Sequence, residues 1–202
     1  LKINVHNLLD ETTGFLENEA RYVNIQFVKQ YAENVPVITS DLSQIQQVVL
    51  NLLNNAIDAI GHDGTITVST AYNDKTDEVE INVADTGKGI PAQLLERIFD
   101  PFFTTKKKGE GTGLGLSMVH GIVTAMRGLI LVDSAPGLGT TFTIYLPSTE
   151  EQASMTRLEQ PAIPTGHEHV VYVDDEGFLV DIGTEILRGL GYRVTGFTDS
   201  VE

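Results

Sequence analysis

The sequence contains no cysteine and no long apolar run, and each absence excludes a class of protein. Without cysteine the chain forms neither disulfides nor thiolate metal sites, a composition that fits a reducing compartment. No apolar stretch approaches the roughly 20 residues that cross a bilayer, and residues 1–4 have no signal-peptide pattern. We therefore expect a cytoplasmic chain with no membrane segment of its own, even if a membrane anchors its parent protein.

Basic residues are also scarce. The chain has 13 Lys and Arg against 28 Asp and Glu, which gives a formal net charge of −15. Such an excess of negative charge repels a phosphate backbone, so we do not expect nucleic acid as a partner. Lys106, Lys107 and Lys108 nevertheless lie together beside a glycine-rich stretch, and this local positive charge indicates a bound anion.

The chain has 202 residues, of which 41% are hydrophobic, enough for one domain or one domain plus part of another. Apolar residues at helical spacing predict helices over residues 5–19, 41–60 and 114–126. Alternating patterns and turn residues predict strands over residues 23–31, 35–39, 65–72, 78–84, 129–134 and 140–146. The predicted fold class is α+β, a two-layer sandwich with helices on one face of a mixed sheet.

A second, incomplete domain follows. Residues 147–166 are polar, contain Pro161 and Pro164 and lack periodicity, as in a linker. Beyond them a strand over residues 169–175, a helix over 179–190 and a strand over 193–198 form a β-α-β unit, the opening of a parallel α/β domain. Half of such a domain exposes apolar surface, so we expect it to be disordered or paired with a neighbouring molecule.

Three polar residues interrupt the apolar helix predicted over residues 41–60. Asn51, Asn55 and Asp58 are spaced i, i+4 and i+7, so they lie on one helix face. Buried amides cost about 1–3 kcal/mol when they are unpaired, so this stripe needs partners. A metal ion with phosphates would supply them, whereas in a simpler interpretation the amides only bond neighbouring backbone.

A carboxylate and two glycines follow the strand predicted over residues 78–84. Asp85 stands at the strand end, and Gly87 and Gly89 allow the backbone to approach a ligand closely. Asp85 would accept a hydrogen bond from an exocyclic amine such as that of adenine, while Ile90 covers the ring. The alternative is an ordinary acidic turn.

Glycine occupies every other position of residues 109–115, just before a predicted helix. Unpaired N–H groups at a helix start favour phosphate oxygens, and the preceding lysines add positive charge. The segment lacks the Gly-Lys-Ser/Thr ending of a P-loop and does not follow a strand as a dinucleotide fingerprint does. A flexible hinge before the helix is the alternative interpretation.

Together these segments resemble the ATP-binding catalytic domain of sensor histidine kinases. Residues 51–59 resemble its N box, residues 85–90 its first glycine box, residues 98–106 its F box and residues 111–117 its second glycine box. The resemblance covers roughly residues 23–147. It implies the Bergerat ATP-binding sandwich shared with gyrase-type ATPases and a heat-shock chaperone, with ATP and Mg²⁺ as cofactors.

By position, the resemblance implies that Asn55 coordinates Mg²⁺ and that Asn51 supports the phosphates. Asp85 would bond the adenine amine, with Thr141 nearby through water, and residues 101–112 would form a mobile lid over ATP. Gyrase-type relatives have a glutamate general base where Asn51 stands, which favours a kinase over an ATPase. The implied cofactor-binding residues are Asn51, Asn55, Asp58, Asp85, Gly87, Gly89, Ile90, Phe99, Lys106, Gly111, Thr112, Gly113, Leu114, Gly115, Leu116 and Thr141.

Asp174 and Asp175 end the strand predicted over residues 169–175. This pair resembles the acidic pair with which a response-regulator receiver domain holds Mg²⁺. A catalytic domain followed by a receiver implies a hybrid histidine kinase, whereas the alternative is an ordinary strand that happens to end in acids.

The resemblance also implies an organisation. Residues 1–20 would be the tail of a dimerisation helix, 21–148 the catalytic domain, 149–168 a linker and 169–202 a truncated receiver. The phosphoacceptor histidine is expected outside this chain, because His6 is followed by Asn7 rather than by an acid that would take the ring proton.

The implied function is to bind Mg-ATP and donate its γ-phosphoryl group to histidine in two-component signal transduction. The expected partners are ATP or ADP, the dimerisation or histidine phosphotransfer domain of a homodimeric parent kinase, and a receiver domain or response regulator. The alternatives are a serine-directed kinase of the same fold and a nucleotide-binding regulatory module without catalysis.

Overall fold

A computed structural model describes residues 1–106, 112–148, 166–173 and 177–198 of the chain. The chain divides into two compact units, Leu1–Met155 and Thr156–Glu202. Most of the predicted linker, residues 149–165, lies outside the described residues.

The first unit is built on a five-stranded mixed sheet. Its strands are β2 (Ile25–Tyr31), β4 (Gly64–Asn73), β5 (Glu78–Asp85), β6 (Leu129–Ala135) and β7 (Gly139–Pro147). They lie in the order β2-β4-β5-β7-β6, with β2 parallel to β4 and every other neighbouring pair antiparallel. The predicted mixed sheet is therefore confirmed.

Three long helices cover one face of this sheet: α1 (Val5–Tyr22), α2 (Leu42–Ile60) and α4 (Gly115–Ala125). Buried and less buried residues alternate along β5 and β7, so one row of side chains points into the core. That row includes Ile81 and Ile144, which share the core with Leu52 and Leu53 of α2. The unit is the predicted two-layer α+β sandwich.

The start and end of α2 follow local chemistry. The Asp41 carboxylate accepts hydrogen bonds from the N–H groups of Ser43 (2.9 Å) and Gln44 (3.3 Å), so Asp41 is the N-cap. Gly61 ends the helix with a φ of +73°, a conformation that glycine adopts without a Cβ penalty.

The N-terminal residues fold as part of the first unit. Strand β1 (Lys2–Ile3) pairs with β3 (Ile38–Thr39), and α1 buries Leu8, Leu9 and Leu16 in the core shared with α2. The resemblance assigns residues 1–20 to the tail of a dimerisation helix, and this assignment stays a prediction; in the structure α1 packs against α2 and β2.

Two further differences concern short elements. The strand predicted over residues 35–39 shortens to β3, since Pro36 has no N–H to donate to a neighbouring strand. A short helix, α3 (Ala92–Leu95), begins after Pro91 and was not predicted.

The second unit contains the predicted β-α-β arrangement. Strands β8 (His169–Val173) and β9 (Arg193–Phe197) pair in parallel, and α5 (Gly177–Gly189) connects them. Val171 and Val173 of β8 are exposed. None of the helices among the described residues has the length and apolarity to span a membrane.

Candidate functional site

The predicted polar stripe lies along one side of α2. Asn51 and Asn55 are half-buried and Asp58 is exposed. The Asn51 amide donates to the Gln47 carbonyl at 3.0 Å, so the simpler interpretation holds for its NH₂ group while its oxygen faces elsewhere. A Cβ added to Gly115, at the start of α4, would lie 3.2 Å from that oxygen. The second glycine segment therefore begins beside the N-box face.

Asp85 ends β5 on the sheet face that packs against the helices. Its carboxylate is only 8% exposed and accepts a hydrogen bond from the Gly87 N–H at 2.8 Å. Burial raises the pKa of Asp85, and the backbone N–H groups of Gly87 and Thr140 oppose that rise. A nearly buried carboxylate at a strand end is a strong acceptor for a donor group of a ligand.

The turn after Asp85 packs closely against α2 and against the end of β6. A Cβ on Gly87 would lie 2.6 Å from the Ala59 backbone of α2, and the Lys88 N–H donates to the Ala59 carbonyl at 3.1 Å. Gly89 has a φ of +69°, and a Cβ there would lie 2.0 Å from the Ala135 carbonyl oxygen. The two predicted glycines are therefore required by close backbone approach on both sides of the turn.

The residue opposite Asp85 is Thr140. In the β5–β7 register Asp85 pairs with Thr140, whereas Thr141 pairs with Ala84. Because side chains alternate along a strand, Thr140 shares the inner face with Asp85 and Thr141 lies on the outer face. The structure therefore does not bring Thr141 into the site. Sequence reasoning chose between adjacent threonines without the register that separates them.

Ser134 is a second residue that sequence reasoning missed. Its Oγ accepts a hydrogen bond from the Ile90 N–H at 2.8 Å and lies 2.9 Å from both the Gly139 carbonyl oxygen and Thr140 Oγ1. Ser134 thus joins the first glycine turn to the β6–β7 turn. These partners lie up to 44 residues away in the chain, so the sequence alone does not indicate that Ser134 contacts the turn after Asp85.

The F-box residues lie beside α2 and α4. Phe99 is half-buried, and its ring centroid lies 5.2 Å from that of His120 on α4. The Lys106 ammonium forms a charge-assisted hydrogen bond with the Asp58 carboxylate. Lys106, the expected phosphate ligand, is thus next to the N-box face, where Asp58 neutralises it.

The second glycine box is described only from Thr112 onward, and Gly111 lies outside the described residues. Thr112 Oγ1 accepts a hydrogen bond from the Leu114 N–H at 3.3 Å. A Cβ on Gly113, whose φ is +69°, would lie 2.4 Å from the Phe102 backbone, so this segment contacts the end of the F box. Among the residues that the structure describes, no side chain caps the start of α4, and Leu116 lies in its first turn. The N–H groups there are available to an anion.

Asp174 and Asp175, the expected acidic pair of a receiver, lie outside the described residues. Within the part of the chain that the structure describes, no three His, Cys, Asp or Glu side chains group as a metal site. Oxygen donors for Mg²⁺ in the first unit would come instead from the amides of α2 and from a bound phosphate.

Comparisons with known proteins place the site in a family. The model for the histidine kinase-, DNA gyrase B- and HSP90-like ATPases matches residues 40–150. Sensor kinase CckA of Brucella abortus (strain 2308) is 41% identical over 187 residues, which cover 82% of this chain and 20% of CckA. This chain therefore spans about a fifth of the length of that relative.

Two solved structures agree. The catalytic domain of histidine kinase ThkA superposes with a TM-score of 0.67 at 34% identity, covering 75% of this chain and 97% of that one. Histidine kinase ThkA in complex with response regulator protein TrrA superposes with a TM-score of 0.65 at 31% identity, covering 75% of this chain and 42% of that one. The chain belongs to the family of histidine kinase-, DNA gyrase B- and HSP90-like ATPases, and its relatives here are histidine kinases.

Proposed function

We propose that the first unit binds Mg-ATP and presents its γ-phosphoryl group for transfer to a histidine on another domain. The observation that carries this proposal is the buried Asp85 carboxylate, held at the end of β5 on the face that packs against α2. The glycine turn that follows it packs closely against the Ala59 and Ala135 backbone, and the amides of the N box lie on the neighbouring helix.

The residues present fit an adenine nucleotide. Asp85 would accept a hydrogen bond from the 6-amino group of the base. Asn55 and Asn51 would supply amide oxygens and nitrogens toward Mg²⁺ and the phosphates, since oxygen donors suit this hard cation. Lys106 and the N–H groups at the start of α4 would meet phosphate oxygens.

Catalysis in such a site rests on positioning and charge. Mg²⁺, when bound, neutralises charge on the phosphates. Lys106 adds a cation beside the N box once a phosphate competes with Asp58 for its ammonium. Asn51 neither takes nor gives a proton at neutral pH, so this helix position does not activate water for hydrolysis. The site therefore favours transfer to a histidine nucleophile over ATP hydrolysis.

The wider role is also a proposal. We infer a parent sensor kinase, with an acceptor histidine on its dimerisation domain and a receiver or response regulator as phosphoryl acceptor. The complex of ThkA with TrrA supports the second partner by similarity. The β-α-β arrangement of the second unit supports assigning residues 169–202 to a receiver, and residues 149–168 to the linker before it.

A transfer assay tests the proposal. The chain, Mg²⁺ and γ-labelled ATP are incubated with the dimerisation domain of the parent kinase as a separate polypeptide. We expect acid-labile phosphate on that domain and little on this chain. An Asp85→Asn chain and a dimerisation domain whose acceptor histidine is alanine are the matched controls. Acid-stable phosphate, or strong labelling of this chain alone, would contradict the proposal.

A further inference from the structure

Ser134 makes three polar contacts, and a hydroxyl has one proton to share among them. Its Oγ lies 2.8 Å from the Ile90 nitrogen, 2.9 Å from the Gly139 carbonyl oxygen and 2.9 Å from Thr140 Oγ1. A serine hydroxyl donates once and accepts twice. The Ile90 N–H is a donor and the Gly139 carbonyl is an acceptor, so these two contacts have fixed directions.

The direction of the third contact follows. If Ser134 donated to Thr140, its oxygen would face the Gly139 carbonyl oxygen with no proton between them at 2.9 Å. If Ser134 donates to Gly139, it accepts from both the Ile90 N–H and the Thr140 hydroxyl, and all three contacts are satisfied. The second arrangement commits the Thr140 proton to Ser134.

Thr140 then faces the site as an acceptor only. It lies directly across from Asp85 in the strand register, on the same inner face, and is itself buried. The carboxylate of Asp85 also only accepts while it is ionised. Asp85 and Thr140 therefore both require donors from a ligand that binds beside them.

We propose that Ser134 is a positioning residue that holds Thr140 as an acceptor and so helps the site select a 6-amino purine over a 6-oxo purine. Adenine presents an N–H donor at position 6, whereas hypoxanthine and guanine present a carbonyl oxygen there. A Thr140 hydroxyl free to rotate would donate to that oxygen, directly or through water. Ser134 removes this option. The inference rests on the proposed nucleotide site and extends it to base selection.

The test compares Mg-ADP with Mg-IDP, the inosine nucleotide. The affinities of wild type and a Ser134→Ala variant are measured by calorimetry, with IDP measured by displacement of ADP. Ser134→Ala leaves the Ile90 N–H without its acceptor and frees the Thr140 proton. We expect ADP to bind about five- to tenfold more weakly and IDP to change by less than about twofold. The preference for ADP then falls by a factor similar to the loss in ADP affinity.

Further variants separate positioning from general damage. Ser134→Thr keeps the hydroxyl on a strand residue and should restore the ADP preference. Ser69→Ala removes a hydroxyl from the outer face of the same sheet and should change neither affinity. In a Thr140→Val background, which removes the acceptor itself, Ser134→Ala should no longer change the ADP-to-IDP ratio.

The outcomes are distinguishable. Equal losses for ADP and IDP in Ser134→Ala would overturn the inference and leave Ser134 a structural residue, as would a ratio within twofold of wild type. If Ser134→Ala does not fold, the ratio in Thr140→Val decides, because an unchanged ratio there also overturns the inference. No ADP binding by folded wild type would refute the proposed function, and the inference with it.

Discussion

Asp85 meets two conflicting demands in the proposed site, since a charged carboxylate is the better acceptor for a ligand donor and burial disfavours its charge. Burial raises its pKa despite N–H donors from Gly87 and Thr140. A carboxyl whose pKa is higher in the folded than in the unfolded state binds more protons when folded. Its contribution to stability is therefore greatest below the unfolded pKa of about 3.9 and is lost as pH rises through the folded pKa.

This argument predicts that Asp85→Asn stabilises the empty protein at neutral pH. The amide keeps an oxygen for the Gly87 N–H and carries no charge to desolvate. Chemical denaturation of both proteins between about pH 3 and pH 8 measures the difference. We expect the variant to be the more stable above the folded pKa and its advantage to shrink as pH falls. An advantage that grows toward acid pH would contradict the assigned direction.

The two adjacent threonines show the limit of inference at the residue scale. The glycine turns and Asp85 were visible in the sequence, because glycine and a strand-end acid have local meanings. Choosing Thr140 over Thr141 required the β5–β7 register, which pairs residues 55 positions apart in the chain (140 − 85). The role of Ser134 depends on the same long-range pairing.

At the scale of elements, the turn that contains Gly87 and Gly89 packs between α2 and the β6–β7 turn. The Gly137 N–H donates to the Lys88 carbonyl at 2.8 Å, and Gly89 touches the Ala135 backbone. This contact fixes the distance between the Asp85 turn and the strand that carries Thr140. The backbone contacts therefore hold Asp85 and Thr140 in a fixed relative position.

Two glycine substitutions test that contact. Gly89→Ala places a Cβ 2.0 Å from the Ala135 oxygen at a φ of +69°, whereas Gly137→Ala has a similar φ of +77° and nothing within 4 Å. We expect a loss of about 1 kcal/mol for Gly137→Ala from backbone conformation alone. Gly89→Ala should lose at least about 3 kcal/mol and weaken ADP binding. Equal losses of unfolding free energy in the two variants would show that the contact between Gly89 and the Ala135 backbone does not constrain the turn.

Substitutions on helix α1 test whether this helix belongs to the catalytic unit. Leu9 is 0% exposed in the shared core, whereas Phe15 on the same helix is 82% exposed. If α1 belongs to this unit, Leu9→Ala should lower the free energy of unfolding by roughly 2–5 kcal/mol. Phe15→Ala, the matched control, should change it by less than about 0.5 kcal/mol. A small loss of unfolding free energy in Leu9→Ala would indicate instead that residues 1–20 form a separate helix tail.

Most elements of the fold were readable from the sequence, and the exceptions have two causes. The apolar stripe of α2 and the alternation of β4, β5 and β7 carry their own periodicity, so their boundaries fell within about two residues of the prediction. Strand β3 was overextended and β1 was missed because two-residue strands have no period to detect. The placement of α1 depended on packing against α2, which no local pattern encodes.

At the scale of the whole molecule, charge and length limit what the chain does alone. A net charge of −15 repels phosphate at long range, so nucleotide affinity must come from contacts at the site and from Mg²⁺. The chain spans about a fifth of the length of CckA. We propose that the first unit by itself holds Mg-nucleotide at Asp85.

The most direct test is calorimetric titration of the chain with ADP and Mg²⁺, beside Asp85→Asn. We expect binding tighter than about 1 mM, or roughly −4 kcal/mol, and at least tenfold weaker binding by the variant. Binding that is equal in both proteins would mean that Asp85 does not recognise the base. No binding by a folded wild-type chain would contradict the nucleotide site itself.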